Sequence, residues 1–258
     1  MTDPVDAPIL EFDPAREAVV EPARAVTRFE MPERAVLCFF SDILARAVGD
    51  LGGREVGSFV SEMGRIPVHV IEHDGRRLAI VQAGVGAPLA AGWLDEMIAL
   101  GCRAFVAVGG AGVLVPQLAL GHVIVPTSAV RDEGTSYHYL PASREVAPTD
   151  DALAAIVATL ERHAIPHVLG KTWTTDGLYR ETRGKVDRRV AEGCLTVEME
   201  AAAFFAVARF RGVSFGQMLY AGDDLSGEAW DPRGWAGHVT GRELLLRLAI
   251  EAVLAIEV

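Results

Sequence analysis

The sequence is poor in cysteine: Cys38, Cys102 and Cys194 are its only three, and no two of them form a Cys-x-x-Cys pair. That spacing removes the common zinc and dithiol motifs and reads as a chain kept in a reducing, cytoplasmic compartment. Basic side chains are also short, 24 against 35 acidic ones for a formal net charge of -11, and aromatics make up only 7 %. With no basic excess to displace counterions from a phosphate backbone, nucleic acid is excluded as a partner. The first residues carry Asp3, Asp6 and Glu11 with Pro4 and Pro8. A secretion signal would need a basic start and an apolar core instead. The one long stretch without charge, between Arg103 and Arg131, is cut by Gly109, Gly110, Gly112, Pro116, Gln117, Gly121, His122 and Pro126. Such short pieces rich in Val and Ala are the signature of buried parallel strands, so no membrane span is expected.

Half of the 258 residues are hydrophobic, enough for a sizeable core. Residues 1–31 are rich in proline and acid without periodicity, and we expect an extension lying on the surface or on a partner subunit. Residues 32–258 alternate strands and helices. Strands are expected at Ala35–Phe39, His69–Glu72, Leu78–Ala83, Ala104–Val108, His122–Pro126 and Phe215–Tyr220, the second and third joined by an Asp74-Gly75 turn. Helices are expected at Ile43–Val48, at Leu89–Leu100 with Pro88 in its first turn and Gly101 at its stop, and at Asp151–His163. Two more are expected at Glu198–Phe210 and Gly241–Ile256, where Leu244, Leu248 and Val253 share a stripe. With no repeat or linker, this pattern implies a single α/β domain.

Several local patterns carry possible chemistry. Gly84-Val85-Gly86-Ala87-Pro88 ends a strand and opens a helix, where backbone N–H groups can cradle an anion or sugar oxygens; its plain alternative is a tight turn that needs small residues. Leu89 stands where a dinucleotide fingerprint needs a third glycine. Gly212-Val213-Ser214-Phe215-Gly216 matches the G-x-S-x-G pattern of serine hydrolases, but a helix precedes it and a strand follows, the reverse of a nucleophile elbow. His163 and His167 have metal-ligand spacing with Pro166 between them, which breaks the helix that would align them, so no metal site is expected. Asp223-Asp224 follows a strand at the edge where open α/β sheets hold ligands, and is either a solvated turn or a source of a proton. Glu198 and Glu200, about 200° apart on a helix, place at most one carboxylate toward a given ligand.

Taken in order, Gly84-Val85-Gly86, Val108-Gly109-Gly110-Ala111-Gly112, Arg131-Asp132-Glu133-Gly134-Thr135-Ser136, Thr174-Thr175-Asp176-Gly177-Leu178-Tyr179 and above all Val197-Glu198-Met199-Glu200-Ala201-Ala202 resemble the nucleoside phosphorylase superfamily. The family includes uridine and purine nucleoside phosphorylases and methylthioadenosine nucleosidases. The resemblance spans roughly Ala35 to the C-terminus. It implies a three-layer α/β/α fold around a central mixed sheet, and cleavage of a nucleoside's N-glycosidic bond. In it Glu200 would accept hydrogen bonds from the ribose hydroxyls, Met199 would pack beneath the sugar, and Asp223 would protonate the departing base. Val197, Leu178 and Tyr179 would line the base pocket, with Gly84, Gly86, Gly110 and Glu198 completing the substrate-binding set. No cofactor is implied beyond inorganic phosphate as co-substrate, and the expected assembly is a homo-oligomer, a dimer or a trimer of dimers.

The chain departs from the family at the phosphate end. Phe39-Phe40-Ser41-Asp42 replaces a Gly-Asp-Pro segment followed by arginine, Ala107 stands at an arginine position, and Gly110 stands at a hydroxyl position. Arg65, Arg46 and Arg131 are the candidate substitutes, since a phosphate dianion needs charge-assisted donors. Water as the nucleophile, or a nucleoside-binding protein without turnover, are the alternatives that this departure leaves open.

Overall fold

Short apolar runs bounded by glycine and proline become the strands of one mixed sheet in the computed structural model, which describes residues 7–258; Asp3, Pro4 and Asp6 lie outside the described residues. The strands are β1 (Arg34–Cys38), β2 (Arg54–Ser61), β3 (Gly64–His73), β4 (Arg76–Gln82), β5 (Ala104–Val113), β6 (Val123–Asp132), β7 (Glu145–Val146), β8 (His167–Thr175), β9 (Cys194–Glu198) and β10 (Ser214–Asp224). The helices are α1 (Pro22–Ala25), α2 (Ser41–Asp50), α3 (Ala87–Ala99), α4 (Asp150–Arg162), α5 (Arg183–Ala191), α6 (Ala201–Arg211) and α7 (Val239–Ala255).

The strand order is β10-β6-β8-β9-β5-β1-β4-β3-β2, and β10 also pairs with β5, so one end of the sheet closes on itself. β1 runs parallel to both β4 and β5, and β10 runs parallel to β5 with Gln217 opposite Ala107. α2, α4 and α7 pack over one face around Ile43, Ile156 and Leu248. α3 and α6 cover the other around Leu94, Phe204 and Phe215, the last two stacked 4.7 Å apart. The layers therefore match the α/β/α expectation. The uncharged stretch after Arg103 supplies β5 and β6, and no helix among the described residues is long and apolar enough to cross a membrane.

Local signals act as their chemistry requires. Asp74 and Gly75 both take positive φ in the β3–β4 turn, and Gly101 (φ +112°) follows α3. Gly212 caps α6 in the left-handed region, and Ser214 starts β10 with its hydroxyl on Asp151, which removes it from the nucleophile geometry. His163 bonds Glu251 while the His167 ring meets the Ile165 carbonyl, so the two imidazoles serve separate partners.

One expectation is corrected, and β2, β7, β8, β9, α1 and α5 are elements that the sequence reading did not propose. Residues 54–61 form a whole strand the sequence did not announce, an exposed edge whose polar side chains mask the alternation; its Gly57 admits the Phe29 ring, which would lie 2.3 Å from a Cβ. Glu198 ends a strand instead of opening a helix, because Thr196, Val197 and Glu198 pair with Thr172, Trp173 and Thr174 of β8. Tertiary pairing overrides the helical preference there. Of the N-terminal segment, residues 7–31 run over this chain's own surface, with Ile9 against Gly134 and Arg16 over the Phe210 ring.

Candidate active site

A cavity of about 610 Å³ opens at the carboxyl ends of β1, β5, β9 and β10. This is the edge where α/β sheets gather ligands, since strands end there and loops diverge. Its floor is glycine-rich, Gly109 to Gly112 of β5, and its walls come from Phe39–Asp42, Val197–Glu200, Gln217, Tyr220, Asp223 and Arg242. Gly110 lies close under Tyr220: a Cβ there would stand 3.0 Å from its ring.

The strand-to-helix turn after β9 brings both glutamates to this cavity, because Glu198 is the last strand residue and Glu200 the N-cap of α6. Glu198 is held by three donors. Thr174 donates to Oε1 at 2.6 Å, and the Glu200 and Ala201 N–H groups donate to Oε2 at 2.7 and 2.6 Å. Thr174 is itself oriented by the Ala202 N–H at 3.0 Å, which leaves its proton for Glu198. Glu200 has a single protein donor, the Gly86 N–H, at 2.6 Å from Oε1. Burial drives both carboxyls well above their ordinary range, and for Glu200 the Glu198 charge adds to that push. Three donors against one put the negative charge on Glu198 and the proton on Glu200. Among the described residues, Glu200 Oε2 has no hydrogen-bond partner and is left for a ligand. Met199, half-buried between them, forms an apolar patch on the same wall.

Asp223 reaches the cavity near the end of β10, within the irregularity between Ala221 and Asp224 that shifts the β10–β5 register. Trp230 Nε1–H donates to its Oδ2 at 2.6 Å. The adjacent Asp224 turns away to Arg233 and to the Ser226 N–H, and those contacts outweigh burial and hold its carboxyl below the ordinary range. The two neighbours are thus divided, one loop anchor and one cavity carboxylate. Glu181, which does not itself line the cavity, is pushed up to about 7 by burial and then by the Asp223 charge.

The sequence of this chain matches the pattern of the phosphorylase superfamily over residues 33–243. The chain belongs to that family. It is 31 % identical over 192 residues to guanosine phosphorylase of Halorubrum lacusprofundi, covering 71 % of this chain and 78 % of the relative. It is 30 % identical to uridine phosphorylase of Treponema pallidum, covering 68 % and 72 % respectively. The crystal structure of uridine phosphorylase from Vibrio fischeri shares the fold, with a TM-score of 0.74 over 91 % of this chain and 94 % of that one at 24 % identity.

Of the residues that the resemblance to this superfamily singled out, Gly110, Val197, Glu198, Met199, Glu200 and Asp223 share the one cavity. Gly86 acts from behind it: with φ +92° at the N-cap of α3 it aims its N–H at Glu200. Gly84 leaves room for Leu89 and Trp93 and lines a neighbouring apolar cavity. Leu178 and Tyr179 do not reach the site. They lie 51 % and 94 % exposed on a short 3-10 turn, drawn outward where Asp176 accepts the Gly134 N–H at 2.8 Å.

The three candidate arginines are likewise elsewhere in this chain. Arg65 pairs with Glu55 and Ser58 across the exposed β2–β3 hairpin. Arg131 is buried and donates to Ser136, Pro141, Ser143 and Leu140, stapling the loop after β6. Arg46 faces Asp42 and Glu243 on the outer side of α2. The arginine that does line the cavity is Arg242, and sequence reasoning passed over it because an arginine in an amphipathic helix reads as its solvent face. Gln217 was missed as well, although a lone amide inside the apolar run of β10 was a usable signal.

Proposed function

We propose that this chain is a nucleoside phosphorylase, cleaving the N-glycosidic bond of a purine or pyrimidine nucleoside with phosphate to give the free base and ribose 1-phosphate. The observation that carries the reading is that Met199, Glu200 and Asp223 line one cavity, with Glu200 Oε2 unengaged. In this reading the sugar lies on Met199 with its hydroxyls on Glu200, which fixes the line of attack and excludes water. The bond from C1′ to the base nitrogen breaks, a phosphate oxygen bonds to C1′, and the Asp223 end supplies the proton that the leaving nitrogen takes up. The names of the two relatives, a guanosine and a uridine phosphorylase, support the substrate class and leave the base open. The reaction needs inorganic phosphate and no organic cofactor. Three buried free cysteines are consistent with a cytoplasmic enzyme, and the apolar cavity beside the site with a homo-oligomer.

A second reading, hydrolysis by water, is favoured by one feature: four carboxylates, Asp42, Glu198, Glu200 and Asp223, line the cavity against the single guanidinium of Arg242. Base release from a panel of nucleosides, measured with and without phosphate and with the sugar product identified, separates the two. Ribose 1-phosphate formed only with phosphate is expected. Free ribose at an unchanged rate without phosphate overturns phosphorolysis, and nucleoside binding without any turnover overturns both.

A further inference from the structure

We infer that the unoccupied edge of Arg242 is the seat of a phosphoryl group in this cavity. Arg242 lies in the first turn of α7 and is 7 % exposed, with its guanidinium 4.9 Å from the Phe40 ring centre. One edge is taken. Nη2 donates to Asp42 Oδ1 at 2.6 Å, while Nη1 donates to Asp42 Oδ2 at 3.3 Å and to the Ala236 carbonyl at 3.1 Å. A guanidinium has five N–H donors in a fixed fork, so these contacts leave Nε–H and the second Nη2–H. Nε is buried and has no partner. These two remaining donors lie on the same edge of the planar group and match a pair of oxygens on one tetrahedral anion.

The surroundings agree. Arg242 is the only cationic side chain among the described residues that line the cavity, and Ser41, the first residue of the ten-residue helix α2, lines the same corner. A buried donor without a partner is unfavourable, and an oxyanion on that edge satisfies it. Gln217 opposite Ala107 fills the wall nearby with a neutral amide, so Arg242 supplies the positive charge there. The inference rests on the phosphorolytic reading for the anion being inorganic phosphate; a 5′-phosphate on the nucleoside would present the same oxygens.

Calorimetric titration of the intact protein with inorganic phosphate, and separately with a nucleoside 5′-monophosphate, tests it in the wild type and in Arg242→Lys and Asp42→Asn. Lysine keeps the charge and loses the fork, so phosphate affinity is expected to fall at least roughly tenfold. Asp42→Asn removes the competing carboxylate, so affinity is expected to rise, a gain that misfolding does not produce. Binding of the monophosphate alone, weakened by Arg242→Lys, supports the seat and overturns phosphorolysis. Equal phosphate affinity in all three proteins overturns the seat and leaves phosphorolysis standing. No binding of either anion to the wild type also overturns the seat, and glycosidic cleavage then stands or falls on the nucleoside panel.

Discussion

Replacing Glu200 by glutamine tests the sugar site with little change of shape. The amide oxygen can keep the Gly86 N–H bond now made at 2.6 Å, which turns the amide nitrogen toward the cavity. That nitrogen only donates, so both hydrogen bonds accepted from ribose hydroxyls are lost. Each bond to a charged acceptor contributes about 1.5–3 kcal/mol, or about 3–6 kcal/mol for two. Ionising Glu200 beside Glu198 offsets about 1.4 kcal/mol for each pH unit below its raised pKa. The net loss in kcat/KM is then roughly 15- to 2,000-fold at neutral pH. The assay compares a ribonucleoside with its 2′-deoxy analogue in wild type and Glu200→Gln. The deoxy analogue, short of one hydroxyl, should lose correspondingly less. Equal losses on the two substrates would refute the placement of the sugar on Glu200.

Asp223→Asn keeps an acceptor for Trp230 and removes the ionisable oxygen, so kcat/KM should drop 10²- to 10⁴-fold, about 2.7–5.5 kcal/mol, on natural nucleosides. A riboside whose leaving group needs no proton should lose little, and an equal loss there would contradict a role in protonation. The raised carboxyls of Glu198 and Glu200 contribute stability that is fully present below the ordinary carboxylate range and is lost as pH rises through their folded values, with a slope of up to about 1.4 kcal/mol per pH unit for each group. Melting curves should therefore fall from mildly acidic toward alkaline pH, and Glu200→Gln should flatten the profile; an unchanged profile counts against the buried pair. Gly86→Ala forces a side chain into φ +92° and should cost about 1–3 kcal/mol in thermal unfolding, together with weaker nucleoside binding as the N–H behind Glu200 shifts. Full stability and binding in that variant would show that the turn is not strained.

How far the sequence could be read depended on whether the signal was local. The Asp74-Gly75 turn, the Pro88 start and Gly101 stop of α3, and the layered packing follow from backbone chemistry carried by a few adjacent residues. β2 did not, because its pairing is to a neighbour and its exposed side chains carry no period. At the candidate site an ordered motif pointed to Met199 and Glu200, and the place after a strand pointed to Asp223; the structure brings the three to one cavity, yet the geometry of the two glutamates was not legible. A helical reading separates them by about 200°, whereas the turn between β9 and α6 sends both into one cavity. Arg242 and Glu181 gain their meaning only from distant partners, Asp42 two hundred residues away and the Asp223 charge.

The same charge arrangement makes the two substrates respond to pH in opposite directions. A ribose hydroxyl on Glu200 Oε2 favours the ionised carboxylate, so nucleoside binding is expected to tighten as pH rises through the raised Glu200 value. Phosphate meets the reverse condition. Each proton lost from Glu200 adds a negative charge to a cavity that already holds Asp42, Glu198 and Asp223 against Arg242, and phosphate's own further ionisation adds repulsion from those groups. At an effective dielectric constant near 20, a like-charge pair about 8 Å apart costs about 2 kcal/mol, enough for a change of more than tenfold in affinity. Dissociation constants for phosphate and for a nucleoside, measured separately across the neutral range, should cross, and kcat/KM under limiting amounts of both should peak between the two limbs. Constants that move together with pH would mean that Glu200 keeps one protonation state throughout, and the assignment of the cavity's mobile proton to it would fail.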